Sequence, residues 1–368
     1  MSSALVIIVA TLVVALSLGV RARRGRTMSL EQWSVGGRGF GTIFVFLLLA
    51  GEIYTTFTFL GGSGWAYGKG APAFYILSYG AIAYIISYFL LPVVWRYAKE
   101  HRLVSQADFF VSKYESESLG ILVSLVSVVA MIPYLVLQLK GLGIIVSETS
   151  YGSVSASAAI WISSIALVVY VVISGVHGSA WTAVLKDIMI LAVAIALGVY
   201  LPIHHYGSFQ QMFEAIDQAR PGFLTLPATG MSTTWFISTV VLTALGFYMW
   251  PHTFGSSYTA RNENVFRKNA VVMPLYQLVL LFVFFTGFAA ILTVPGLEGS
   301  QADLALLKVS KQSFTPWVVG TIGAAGVLTA LVPVIALISV FFALRGGETL
   351  VMLLLMGYNF VTQLFPAL

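Results

Sequence analysis

Cysteine is absent from the 368 residues, which excludes a disulfide framework, a thiolate metal site and a cysteine nucleophile. Charge is nearly as scarce. Asp, Glu, Lys and Arg make up 9% of the chain, and 58% is hydrophobic; an ordinary soluble domain carries about 25% charged residues. A surface with so few charges belongs in lipid. No basic n-region precedes the first apolar run, and no small-residue cleavage site leads into a polar domain, so residues 4–20 read as a retained span. Enzyme signatures are missing too: there is no HEXXH zinc pair, phosphate-binding glycine loop or nucleophile elbow. The string GVHGSAW (175–181) holds a histidine and a serine but no third group to orient them. These absences exclude a soluble enzyme and leave no resident cofactor or catalytic residue to assign.

What is present is long apolar runs. A hydrocarbon core about 30 Å thick takes roughly 20 residues of helix, and ten segments meet that need: 4–20, 41–61, 72–95, 119–139, 157–175, 181–202, 233–254, 272–294, 317–344 and 348–366. The sequence therefore predicts an all-α, single transmembrane domain over 1–368. The net charge of +5 lies in short clusters between the runs, which read as topology signals and not as a nucleic-acid surface. With the N-terminus outside, Arg21, Arg23, Arg24, Arg26, Arg38, Arg96, Lys99, Arg102, Lys113, Lys186, Arg261, Arg267, Lys268 and Arg345 fall inside. Only Lys69, Lys140, Arg220, Lys308 and Lys311 fall outside, the bias expected of cytoplasmic loops. Two amphipathic stretches in outer loops, Phe209 to Ala219 and Gln301 to Gln312, read as interfacial helices.

Two spans carry breaks. The second contains Gly51 and ends in Gly61, Gly62, Ser63 and Gly64; the seventh is interrupted by Gly246, Pro251 and Gly255. Irregular backbone survives at membrane depth only where protein buries it or a cavity is lined by it. A pair of interrupted helices separated by four intact ones is the pattern of an inverted-repeat transporter, with the site between the breaks.

Glu52 is the only acid well inside a span, at an insertion cost of at least ~2.5 kcal/mol. At helical spacing, Glu52, Thr55, Thr56 and Phe59 share a face that suits a cation or a polar solute. Two other readings of Glu52 stay open, a protonated packing clamp and a proton-coupling group. Tyr134 and Gln138, four residues apart beyond Pro133, either join the cavity or bond between helices. In the seventh span Thr243, Gly246, Phe247 and Trp250 share a face, with Tyr248 and His252 beside the break. Lys186 and Asp187 read as a snorkelling base and an interfacial acid near the end of the sixth span.

At these residues the chain resembles the sodium:solute symporter family, and most closely its monocarboxylate permease branch. The strings that carry the resemblance are WSVGGRGFGT, LLAGEIYTTFTF, MIPYLVLQLKG, LKDIMI, YMWPHTFGSSYTARNENVFRKNA and GAAGVLTALVP, in that order from Trp33 to Pro333. The resemblance implies a LeuT-type fold of two inverted five-helix repeats: an extra N-terminal helix at 4–20, the first repeat at 41–202 and the second, incomplete, at 233–368. It also implies a secondary transporter in a bacterial cytoplasmic membrane that moves a small organic solute with a sodium ion or proton. Lactate, pyruvate and acetate fit the branch. Cation-binding carbonyls fall at Leu49 and Glu52. Substrate contacts fall at Thr55, Thr56, Gln138, Tyr248 and Trp250, with Phe57, Phe59 and Trp250 giving a small apolar pocket. After Pro333 the chain departs from the pattern. The string VIALISVFFALRGGETL follows at once, without the hydroxyl-rich continuation and loop, which reads as an internal deletion together with C-terminal truncation. A membrane solute sensor and a non-transporting fragment are the alternatives.

Overall fold

Serine supplies many of the helix starts. Ser29, Ser105, Ser116, Ser155 and Ser208 each accept a hydrogen bond from an amide of the first turn, satisfying donors that a helix cannot bond internally. At Ser105 the cap is reciprocal, because Asp108 accepts from the Ser105 amide at 2.9 Å. The computed structural model describes residues 3–22, 24, 25, 27, 29–51, 53–329 and 350–368. Glu52, most of the segment following Thr329, and the junction after Pro333 lie outside them.

The helices are α1 (Ser3–Ala22), α2 (Leu30–Val35), α3 (Thr42–Gly51), α4 (Ser63–Lys69), α5 (Tyr75–Glu100), α6 (Gln106–Tyr114), α7 (Glu117–Thr149), α8 (Ala156–Tyr206), α9 (Phe209–Ala219), α10 (Thr233–Gly246), α11 (Pro251–Ser257), α12 (Asn264–Gln277), α13 (Leu280–Thr293), α14 (Ala305–Ser313), α15 (Pro316–Thr329) and α16 (Leu350–Val361). Among the described residues five helical stretches are long and apolar enough to cross a bilayer: Ser3–Ala22, Ala71–Glu100, Glu117–Thr149, Gly175–Tyr206 and Asn264–Thr293. A sixth forms if Thr233–Met249 and Pro251–Ser257, bent by 59°, are one broken span. The expected interfacial helix at Phe209 to Ala219 is α9. The stretch expected at Gln301 to Gln312 is a short 3-10 turn, Gly299–Leu304, running into α14.

Without a hydrophobic drive between helices in lipid, close backbone approach holds the bundle together. The Cβ of an alanine at Gly287 would come within 2.2 Å of the Ser63 carbonyl, and one at Gly198 within 2.3 Å of the Phe282 carbonyl. These contacts bring α13 onto α4 and α8. Long-range hydrogen bonds add to them. The Tyr54 hydroxyl donates to the Tyr276 carbonyl (2.8 Å) and the Trp95 indole to the Ala260 carbonyl (2.8 Å).

The two spans expected at 157–175 and 181–202 are joined without a loop. α8 runs through both and turns at Gly175 (φ 54°, ψ −155°), a left-handed conformation that costs glycine little. The Trp33 carbonyl presses there, at 2.7 Å from where a Cβ would stand.

Basic residues collect at one end of the bundle. The Arg96 guanidinium pairs with Glu263 and Arg38 donates to the Leu103 carbonyl at 2.6 Å, while the Phe40 amide donates to the Thr259 carbonyl (3.0 Å) and the Phe40 carbonyl accepts from the Arg261 amide (2.9 Å). The far end is packed shut. Trp65 stacks on Trp235 with centroids 6.1 Å apart, Tyr75 stands edge-on to Trp235, and a Cβ at Gly64 would meet the Ala302 backbone at 2.9 Å.

Candidate solute and cation site between two broken helices

The first break begins where α3 stops winding. The amides of Ile53 and Tyr54 both reach back to the Ala50 carbonyl, at 3.0 and 3.2 Å. Thr55 then folds the chain on itself. Its hydroxyl accepts from the Phe57 amide (3.2 Å), while Thr58 donates to the Ile53 carbonyl (2.7 Å). Helix resumes as a π-turn over Phe57–Gly62. Single π-turns recur at functional sites because they leave carbonyls out of register.

Thr55, Thr56 and Phe59 therefore do not share one continuous helical face, and Glu52, expected with them, lies outside the described residues. Thr55 lines a cavity. Thr56 turns to α7, where its hydroxyl donates to Gln138 Oε1 at 2.7 Å and its amide to the same oxygen at 3.3 Å. Phe59 packs on Gly326 of α15.

The second break has a simpler cause. Pro251 is the first residue of α11 and lacks an amide hydrogen, and the residue before a proline is pushed out of helical conformation. Trp250 is accordingly extended, at φ −62° and ψ 131°. The Met249 carbonyl freed there accepts from the Gln106 side chain at 2.9 Å.

Two cavities lie at the breaks. The inner one, about 20 Å³, is lined by Thr55 and Phe57 of the first break, Trp250 and His252 of the second, and Tyr79, Tyr134 and Tyr358 among others. Rings wall it closely: Tyr134 lies 5.2 Å from Trp250 and 4.7 Å from His252, and Tyr358 stands edge-on to Trp250 at 5.3 Å. The outer one, about 320 Å³, opens toward the basic end; Trp33, Gln106, Ser179, Thr182, Lys186 and His252 are among its walls. His252 borders both.

Of the residues expected at the solute site, Thr55 and Trp250 meet at the inner cavity. Thr56 and Gln138 meet each other behind it, and Gln138 Nε2 has no hydrogen-bond partner among the described residues. Tyr248 is buried against Phe247 and lines neither cavity. Leu49 is buried in the last turn of α3, while Glu52, its expected partner, is not described.

Lys186 and Asp187 require a correction. They do not reach out to water as a snorkelling pair would: the Lys186 side chain is 13% exposed and the Asp187 side chain 4%. The ammonium donates to the Gly51 carbonyl at 3.1 Å, because α8 crosses α3 at the break and turns this face inward. Spacing along the chain placed Lys186 on the sixth span but could not show the neighbour it faces. Tyr79 and Tyr358 were missed for the same reason; nothing in their local sequence separates them from other aromatic residues of membrane helices. In GVHGSAW, His177 Nε2 lies 3.0 Å from Gln32 Oε1 and Ser179 bonds its own helix, so no nucleophilic pair forms.

The family model described as sodium:solute symporter family matches residues 33–343. The chain is 63% identical to the uncharacterized symporter YhjB of Bacillus subtilis, over all of the chain and 83% of that relative. It is 37% identical to a second Bacillus subtilis symporter, YodF, over 82% of the chain and 60% of the relative. A monocarboxylate transport permease protein of Rhizobium johnstonii is 28% identical, over 85% of the chain and 63% of the relative. The chain thus spans less than two thirds of the length of the last two. Among solved structures, a Na+-coupled sialic acid symporter in a substrate-bound outward-open state superposes with a TM-score of 0.72 at 14% identity, covering 100% of this chain and 81% of that one. The fold is the expected all-α, LeuT-type membrane fold.

Proposed function

Because the chain belongs to the sodium:solute symporter family, a family of transporters and not of enzymes, we propose that it is a secondary transporter that carries a small monocarboxylate such as lactate, pyruvate or acetate together with a cation, sodium or proton. The observation that carries this reading is the meeting of Thr55 and Trp250, one from each broken helix, at a single buried cavity. At about 20 Å³ the cavity has room for little more than a water molecule in this shape, so a solute enters as the two helices part and then touches both, the arrangement alternating access requires.

The chemistry of the walls supports a small, partly apolar anion. Phe57, Trp250 and Leu354 supply apolar surface, and Thr55, Tyr134 and Thr253 supply hydroxyls. Helix α11 starts at Pro251, so its amino end, the positive end of its dipole, lies beside Trp250. A carboxylate emerging from the inner cavity then meets Lys186 in the outer one. The named activity of the Rhizobium permease points to the same solute class. The positive-inside bias supports assigning the basic end to the cytoplasm with the N-terminus outside, and the bacterial relatives support a bacterial cytoplasmic membrane.

The test is uptake of labelled lactate and acetate into proteoliposomes, with sodium and proton gradients imposed separately. Accumulation of either above equilibrium supports the reading. Binding without accumulation would mark a sensor, and no interaction with any small monocarboxylate would overturn the substrate assignment.

One observation favours a second reading, an internal deletion. The alignment with YhjB runs over 406 positions for a chain of 368 residues, leaving some 38 positions of that relative without a counterpart. If those positions cluster after Pro333, the chain as it stands fails to accumulate solute, and supplying the missing segment restores uptake. Uptake by the unaltered chain sinks the deletion reading.

A further inference from the structure

A buried lysine in a membrane bundle needs a reason, because an ammonium there keeps its charge only if protein or water replaces its hydration. Lys186 is eleven residues into the α8 stretch that starts at Gly175, and its ammonium does not turn back to the outer surface. It donates to the carbonyl of Gly51, the last residue of α3 before the chain unwinds. Such freed carbonyls at a broken helix are what coordinate the coupling ion in transporters of this architecture. Here that carbonyl is already taken.

The surroundings are fitted to the ammonium. A Cβ at residue 51 would stand 2.5 Å from Lys186 Nζ, so a larger residue there would push the ammonium out of this position. Asp187, next along the helix, has its carboxylate 4.0 Å from the same nitrogen. Neither carboxylate oxygen accepts a hydrogen bond from any described residue. Carbonyl and carboxylate thus flank one positive charge, and that charge is covalently part of the chain. A sodium ion at the Gly51 carbonyl would lie beside the ammonium, in a setting where like charges repel far more strongly than in water.

We propose that the Lys186 ammonium is a built-in cation at the first break, occupying at the Gly51 carbonyl the position a coupling sodium ion would take, so that this site works without sodium. The inference rests on the symporter reading only in treating the break as a cation position; it does not depend on which solute is carried. The tethered charge gives the freed carbonyl a donor and the buried carboxylate a counter-charge. Removing the ammonium leaves both uncompensated, and a small free cation then becomes the cheapest replacement.

The experiment is thermal unfolding of the purified full-length protein in detergent, in NaCl against KCl and choline chloride at equal ionic strength. The native chain is expected to unfold at the same temperature in all three salts. Lys186→Ala and Lys186→Gln are each expected to be less stable in choline and to gain a sodium-specific rise of at least about 2 °C. Lys186→Arg, which keeps the charge, is expected to stay indifferent. A sodium-specific rise in the native chain equal to that of the alanine variant would overturn the proposal, as would sodium indifference in both neutral variants. If one neutral variant does not fold, the other carries the comparison. If neither does, the native chain together with Lys186→Arg decides: a sodium-specific rise in either counts against the proposal, and indifference in both supports it. Uptake plays no part, so a failure to accumulate lactate or acetate removes the substrate assignment and leaves this result standing.

Discussion

Thr56 shows how one residue can be chosen for a good reason and do a different job. Its place beyond a glycine break, beside Thr55, makes it a natural solute contact, yet its hydroxyl and amide both go to Gln138 Oε1. That pair pins the start of the π-turn to α7. Replacing Thr56 by valine keeps the shape and removes the shorter bond, leaving a buried amide oxygen with one donor fewer. The expected cost is about 1–3 kcal/mol, read as a lower unfolding temperature with the solute KM little changed. Trp250 should behave in the opposite way. It walls the inner cavity and is held by Tyr134 and Tyr358, so Trp250→Ala is expected to raise the KM for solute far more than a structural lesion would. A parallel assay of Thr56→Val separates the two effects. Residue types and their spacing pointed to Thr55 and Trp250, which both line the inner cavity, because a break in a helix is written in glycine and proline. They could not place Tyr248, which turns away from it, nor Lys186, whose partner lies 135 residues earlier in the chain.

At the scale of elements, the sequence was most informative where a helix must stop. The Pro251 break, the limits of α9 and the serine-capped starts follow from local chemistry. What could not be read is how far a helix continues through a residue that merely permits a turn. Gly175 was expected to end one span before a short loop and another span; it is instead a kink inside α8. Whether glycine bends, stops or packs a helix depends on what approaches it, and that is decided by elements distant in sequence. Two glycines make the point testable. At Gly198 the α13 backbone is so close that a methyl group would overlap the Phe282 carbonyl. Gly198→Ala is expected to cost about 1–3 kcal/mol by forcing α8 and α13 apart. At Gly255 in α11 nothing stands within 4 Å of where a Cβ would be, so Gly255→Ala is expected to be neutral, or to stabilise by up to about 1 kcal/mol through helix propensity. Unfolding temperatures of the two purified variants check both, and equal losses would show that the close crossing is not where the bundle's stability lies.

For the molecule as a whole, composition alone fixed the solvent as lipid, and the paired breaks pointed to two broken helices facing one another. The asymmetry between the two ends was not legible, because it arises from rings and backbones far apart in sequence. The end near Trp65, Tyr75 and Trp235 is sealed by stacked rings, while the basic end holds a cavity of about 320 Å³. The chain's lack of cysteine makes this difference easy to test. Ser179→Cys, in the wall of the outer cavity, is expected to react with a membrane-impermeant thiol reagent applied to inside-out vesicles and to be protected in right-side-out ones. Labelling from both sides equally would mean that the seal does not hold in the membrane.

That one-sided opening bears on how the protein could be blocked. An anion too large for the inner cavity but able to rest against Lys186 and His252 would act as a wedge, since the helices could not close behind it. Offered from the basic side it should hold every molecule in the shape described above; offered from the other face it should find no door.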